Sequence, residues 1–256
     1  MDFPSMRLDG QVAIVTGCGS GIGRALAIGL AHAGADVVGT EIPARIEAAQ
    51  SVAEAVGAEG RRGLALPLDV RDLHSIDRTV REAVSQMGRI DILVNNAGIN
   101  IPRAALELTE EEWDSVLDVN LKGLFFTSQR VAREMVERKR GKIVNIASQN
   151  GLVGYYKRAA YCASKAGVVN LTRVLAIEWA PYGINTNAVA PTFILTPLTQ
   201  STFDDPVLRE DLLKRIPLGR VGQPEDVVGA VVFLSSPAAD LVTGHTLLVD
   251  GGWTAI

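Results

Sequence analysis

Tyr161 and Lys165 stand four residues apart in a chain of 256, a spacing that stacks a phenol and an ammonium on one helix face. A free tyrosine titrates near ~10, and a lysine charge ~4 Å away at an effective dielectric of ~20 is worth ~4 kcal/mol, or about three pKa units. Such a phenol exchanges protons near neutral pH. The pair is too short to carry a function by itself, so its meaning rests on what the chain places around it. Upstream, Thr16-Gly17-Cys18-Gly19-Ser20-Gly21-Ile22-Gly23 joins an apolar run to an amphipathic one. Glycines at such a turn let a pyrophosphate approach backbone N–H groups at a helix N-terminus, where the dipole favours negative charge.

The elements that must position these residues show in the hydrophobic pattern. Short β-branched runs alternate with longer amphipathic stretches, the mark of βαβ units and a parallel sheet covered on both faces. The pattern predicts seven strands, at 12–16, 36–40, 64–68, 92–95, 142–147, 185–190 and 246–249. The clearest helices are expected at roughly 21–33, 73–87, 111–138, 155–180 and 225–235. A hydrophobic content of 47% supplies a large core, and one α/β domain spanning 1–256 is expected. Residues from Pro191 to about Asp204 carry no clear element and are a candidate lid, part of a substrate loop expected at about 191–215.

Charge and cysteine content narrow the function. A net charge of −4 with no block of like charges gives no nucleic-acid or anionic-membrane surface, so the expected partner is a small molecule. No run of 18 apolar residues occurs, and the stretch from Met1 to Arg7 lacks a signal peptide's apolar core; the chain reads as soluble and cytoplasmic. Cys18 and Cys162 cannot build a disulfide framework, and with His32, His74 and His245 they show no metal-ligand spacing. No metal is expected.

Glu41 lies at the end of the second strand, 24 residues beyond Gly17. A carboxylate there accepts hydrogen bonds from the adenosine ribose and repels a 2′-phosphate. No base precedes Arg24 in the glycine loop, and Ile42 follows Glu41, so NAD is favoured over NADP.

Thr-Gly-x-x-x-Gly-Ile-Gly after the first strand resembles the short-chain dehydrogenase/reductase family. Further motifs carry the resemblance along nearly the whole chain: Asn95-Asn96-Ala97-Gly98 closing the fourth strand, Asn120 in a long helix, and Ser148 after the fifth strand. Tyr161-x-x-x-Lys165 then comes 13 residues later, followed by Pro191 and by Val249-Asp250-Gly251-Gly252. The resemblance implies a single-domain Rossmann fold, a doubly wound seven-stranded parallel sheet, and metal-free hydride transfer between a nicotinamide dinucleotide and a carbinol carbon. It implies that Tyr161 is the general acid/base, that Lys165 lowers its pKa and holds the nicotinamide ribose, that Ser148 bonds the substrate oxygen, and that Asn120 keeps a water in a relay to Lys165. Coenzyme contacts are implied for Gly17, Gly19, Ser20, Gly21, Ile22, Gly23, Glu41, Asp69, Val70, Asn96, Ala97, Gly98, Tyr161, Lys165, Pro191, Thr192 and Thr196. Thr192 departs from the family's usual Pro-Gly, which stiffens the loop and adds a hydroxyl. Members are commonly homotetramers.

Position beside this set makes Asn100, Gln149, Asn150, Tyr155, Arg158 and Phe193 candidate substrate residues, with Arg103 and Tyr156 nearby. Amides and a guanidinium suit a polyhydroxylated or carboxylated substrate, because an unpaired buried amide costs ~1–3 kcal/mol. The segment from Tyr161 to Pro191 resembles the gluconate 5-dehydrogenase and sugar-alcohol branch. The alternatives are a hydroxyacyl enzyme like 3-oxoacyl carrier-protein reductase or a steroid-type member, and a dinucleotide-binding regulator without activity, which the complete set of Asn120, Ser148, Tyr161 and Lys165 opposes.

Overall fold

Alternating apolar side chains on β-branched strands demand cover on both sides, and the computed structural model, which describes residues 3–256, supplies it. Strands β1 (Val12–Thr16), β2 (Asp36–Glu41), β3 (Gly63–Pro67), β4 (Ile92–Asn95), β5 (Gly141–Ile146), β6 (Ile184–Pro191) and β7 (Thr246–Val249) form one parallel sheet in the order β3-β2-β1-β4-β5-β6-β7. Ala13 and Val15 face one side, where α1 (Gly21–His32), α2 (Ile46–Ala58) and α9 (Pro224–Ser235) pack. Val12 and Ile14 face the other, under α3 (Leu73–Met87) and α5 (Leu124–Val136). This is the expected doubly wound α/β architecture. Winding reverses between β1 and β4, so a crevice opens above their C-terminal ends.

Strands were legible to within a residue or so, and helix ends less so. The helix expected at 111–138 is α4 (Glu110–Leu117) and α5 joined by a π-helical turn, Asp118–Gly123, which adds a residue to the repeat and turns Asn120 inward, fully buried. The helix expected from 155 begins later, as α6 (Ala159–Trp179). Lys157 takes a left-handed φ of 58°, and its carbonyl accepts from the Arg103 N–H at 3.0 Å, so this backbone pairs with the loop after β4 instead of coiling. Beyond β6 the candidate lid holds the short helix α7 (Gln200–Asp204), and α8 (Pro206–Lys214) follows within the expected substrate loop. α2, missing from the clearest sequence segments, covers β2 and β3.

A buried polar chain ties the sheet to α5 and α6. Asn95 donates to Ser128 Oγ at 2.7 Å and to Asn145 Oδ1 at 2.9 Å, and Asn145 donates to Thr172 Oγ1 at 3.0 Å. All four side chains are at most 3% exposed. Removing the central member strands its neighbours in a medium without water. Asn145→Ala is expected to lower unfolding free energy by about 2–4 kcal/mol, read by urea denaturation; a change below ~0.5 kcal/mol would show that water replaces the network.

Candidate functional site

β1 ends in a turn that only glycine tolerates. Gly17 has φ of 63°, and a side chain there would press on Ala97 at the end of β4; at Gly23 a methyl group would run into the Gly17 carbonyl. A clasp fixes this turn to β4. Thr16 Oγ1 accepts from the N–H groups of Asn96 and Ala97, each at 3.0 Å, while Asn96 Nδ2 donates to the carbonyls of Thr16 and Gly17, each at 2.9 Å. The amide of Asn96 is thus spent on the glycine loop.

Above the turn runs a cleft of about 740 Å³. Its lining takes in most of the residues implied for the coenzyme: Gly17, Ser20 to Gly23, Glu41, Asp69, Val70, Asn96 to Gly98, Tyr161, Lys165, Pro191, Thr192 and Thr196, with Ser148 beside them. Gly19 lies behind it and donates to Glu41 Oε1 at 3.3 Å. Buried Thr192 Oγ1, at the residue that departs from the family pattern, finds no partner among the described residues. A cradle closed to side chains and an orphaned hydroxyl along one cleft fit a dinucleotide with a polar carboxamide at its end.

The acidic end holds two features the sequence did not reveal. Glu41, 6% exposed, accepts from Ile42 N at 3.1 Å and lies 3.5 Å from the Arg45 guanidinium, which also donates to Ser20 Oγ at 3.2 Å. Asp69 is gripped by Arg71 at 2.7 Å, whose hydrogen bond and charge hold its carboxyl below the usual range despite partial burial. Both arginines line the cleft. The base absent after Glu41 in sequence therefore arrives from one turn further on.

At the other end, Ser148, Tyr161 and Lys165 line the cleft together. Lys165 is 4% exposed; its Nζ donates to the Ile146 carbonyl at 2.7 Å and lies 5.7 Å from the centre of the Tyr161 ring. Burial pulls its pKa down from 10.5 to about 8. Tyr161 departs from the expected direction. Burial raises its pKa, while the Ser148 hydroxyl and the Arg158 charge pull back and the Cys162 thiol opposes them. In the bare protein burial prevails over the groups that favour the phenolate. Asn120 acts first as a clamp: Oδ1 accepts from Ile99 N at 2.8 Å, and Nδ2 donates to Ile99 O at 2.9 Å and Ser164 Oγ at 3.1 Å. Ser164 in turn donates to the Tyr161 carbonyl at 2.7 Å, so the clamp sets the first turn of α6. Most of the amide's capacity is used, leaving one Oδ1 lone pair for a water.

The substrate candidates divide. Tyr155, Phe193 and the C-terminal Trp253 form an aromatic cluster with ring centres 5.2 to 5.9 Å apart, and the buried Arg158 guanidinium lies against Tyr155, Tyr161 and Phe193. Gln149 and Asn150 are buried with amide atoms lacking partners, as is Asn100 Oδ1; none of the six candidates, Tyr155, Arg158 and Phe193 included, belongs to the cleft's lining, and Arg158 meets it only through its contact with Tyr161. Arg103 pairs with Glu112 at 2.6 Å, and Tyr156 is 72% exposed, so both sit at the rim. Trp253 was not expected here; the apolar end Trp253-Thr254-Ala255-Ile256 was its one signal. Among the described residues no cluster of His, Cys, Asp and Glu is built to hold a metal, and no helix is long and apolar enough to cross a membrane.

Known proteins resemble the chain over its full length. The family model described as enoyl-(acyl carrier protein) reductase matches residues 17–254. The 2-dehydro-3-deoxy-D-gluconate 5-dehydrogenase of Dickeya dadantii is 45% identical over all of both chains. The NAD-dependent glycerol dehydrogenase of Listeria innocua is 45% identical over 95% of this chain and 94% of its own. A gluconate 5-dehydrogenase from Burkholderia cenocepacia, solved with NADP and tartrate, superposes with a TM-score of 0.94 at 40% identity, covering 98% of each chain.

The Lys165 shift has a measurable sign. The unfolded chain holds this proton more tightly than the folded one, so the buried ammonium costs stability below about pH 8, and the cost fades as pH rises towards 10.5. Lys165→Met in the coenzyme-free protein is expected to gain up to roughly 3 kcal/mol at pH 7 relative to wild type. Denaturant titrations should show that advantage shrinking by pH 10; a constant difference would place its origin elsewhere.

Proposed function

Because the chain belongs to the short-chain dehydrogenase/reductase family, we propose that it interconverts a secondary alcohol and its ketone on a sugar, polyol or sugar acid, with Tyr161 moving the proton. The observation that carries this reading is the convergence of Ser148, Tyr161 and Lys165 at one end of a cleft whose other end holds Glu41 and Asp69. Strand order sets that separation: Glu41 ends β2 and Asp69 follows β3, whereas Ser148 follows β5.

When bound, the nicotinamide ring takes hydride from the carbinol carbon or returns it. The chain's own residues handle charge and proton. Ser148 Oγ, oriented by the N–H of Asn150 at 3.1 Å, donates to the substrate oxygen. Tyr161 Oη takes the alcohol proton during oxidation and gives it back during reduction. Lys165 stabilises the phenolate and holds the ribose hydroxyls, with Asn120 fixing the helix that carries both. Thr192 and Thr196 hold the carboxamide end. The unit spans 1–256 with its substrate loop at about 191–215, and exposed Ile177, Leu241 and Ile256 support assembly into a homotetramer.

Tyr161→Phe removes the proton carrier and leaves the cleft's shape intact. NADH binding followed by fluorescence is expected to stay within threefold of wild type while turnover falls by at least ~10³. Turnover equal to wild type would defeat the assignment.

NAD is the favoured coenzyme. Glu41 presents a carboxylate where a 2′-phosphate would sit, although Arg45 tempers that repulsion and makes some use of NADP an expected trait. Glu41→Ser removes the anion and frees Arg45. The ratio of kcat/KM for NAD over NADP is expected to drop by at least tenfold; a wild-type ratio at or below one would refute the role given to Glu41.

A further inference from the structure

Arg158 is nine-tenths buried, and its charge has no counterpart. Its guanidinium carbon lies 5.2 Å from the centre of the Phe193 ring, 5.8 Å from Tyr155 and 5.9 Å from Tyr161. Ring faces stabilise a cation but leave its five N–H donors without acceptors. Among the described residues no carboxylate pairs with it, and the charged or titratable groups that influence it are the phenols Tyr161 and Tyr155 and the Cys162 thiol. Among the described residues its donors meet no acceptor, yet none of its nitrogens is sealed from solvent.

Acids are not scarce nearby; each is taken. Glu112 pairs with Arg103 at 2.6 Å and Asp211 with Arg215 at 3.0 Å. A buried guanidinium left unpaired is costly, and here it is held in place from two sides. Arg158 bridges to Arg103 through the backbone, and it sits immediately before α6, three residues from Tyr161.

Resting on the secondary-alcohol reading above, we propose that Arg158 anchors a carboxylate of the substrate, so that the enzyme takes hydroxy acids of the sugar-acid type in preference to neutral polyols. A planar fork matches a carboxylate through two parallel hydrogen bonds. One guanidinium among aromatic walls matches a monoanion; a phosphate dianion calls for a second free cation, and the nearby Lys165 is bonded to the Ile146 carbonyl. Anchored there, the acid presents a carbinol beside the Tyr161 ring.

D-gluconate and D-glucitol share a carbon skeleton and differ in charge. Their affinities for the NADH-loaded enzyme, measured by calorimetry, and their kcat/KM with NAD test the proposal. Wild type is expected to favour gluconate by at least ~30-fold, Arg158→Met to bring that ratio near one, and Arg158→Lys to restore part of it. The Met variant replaces an unpaired charge with an apolar chain of similar reach, so its thermal midpoint without ligands should hold or rise; if it fails to fold, Arg158→Gln carries the same comparison. A wild-type ratio near one overturns the proposal. So does an unchanged ratio in the variant, with both probes weakened together, which would mean that Arg158 acts through Tyr161 alone. If wild type oxidises neither probe, the reaction proposed above fails, and the calorimetric ratio still decides this inference.

Discussion

An ammonium held out of water is the constraint around which the rest is arranged. Lys165 is 4% exposed, and its partner is a neutral carbonyl, that of Ile146. A carboxylate in that position would fix the charge and raise the pKa; a carbonyl leaves it at about 8, where a proton is exchangeable at modest cost. The geometry is therefore demanding, because a single hydrogen bond orients the group. α6 must keep one register against the end of β5, and three devices hold it there: the tether from Asn145 to Thr172, the clasp from Asn120 to Ser164, and the backbone bridge between Arg103 and Arg158. The π-helical turn belongs with them, since it directs Asn120 inward.

Charge is distributed along the cleft by a different rule at each end. Glu41 and Asp69 are answered within the chain by Arg45 and Arg71, so the acidic end is close to neutral and offers fixed hydrogen-bonding geometry. Lys165, at the other end, and Arg158 beside it have no anionic partner among the described residues. Folding energy is spent on two desolvated cations where the reaction is proposed to occur, and none of it is recovered until something anionic arrives. A cleft so polarised favours a ligand whose negative charge lies beyond the nicotinamide end.

Hydrophobic alternation made the strands legible, because each is buried on both faces and little else in the chain competes for that pattern. The glycine loop stands out in sequence as well, and of the four residues Asn120, Ser148, Tyr161 and Lys165 the last three line one end of the cleft while Asn120 is bonded to Ile99 and Ser164. What escaped depended on tertiary geometry. No residue type marks an extra residue in a helix, so the turn at Asp118–Gly123 was read as continuous helix. Arg45 is four residues from Glu41, across the short turn after β2, and only the fold shows that it folds back onto the carboxylate. Trp253 reaches the aromatic wall from the far end of the chain, where spacing carries no information about contact. The i,i+4 spacing announces the ammonium but not the depth of burial, and burial is what raises Tyr161 in the bare protein.

That last point changes how acid–base chemistry has to be understood here. In the bare protein the phenol is raised, with Ser148 and Arg158 as the groups that pull it back. If Arg158 takes a substrate carboxylate, its positive charge is screened and its help to the phenolate shrinks. The deficit must then be met by the protonated Lys165 and by the positive charge of an oxidised nicotinamide. Proton transfer would thus be favoured once coenzyme and acid are both in place and disfavoured with the acid alone. Ordered readiness of this kind needs no moving part, because it follows from one buried phenol sharing its surroundings with a permanent cation, a titratable cation and a cation that arrives with the coenzyme.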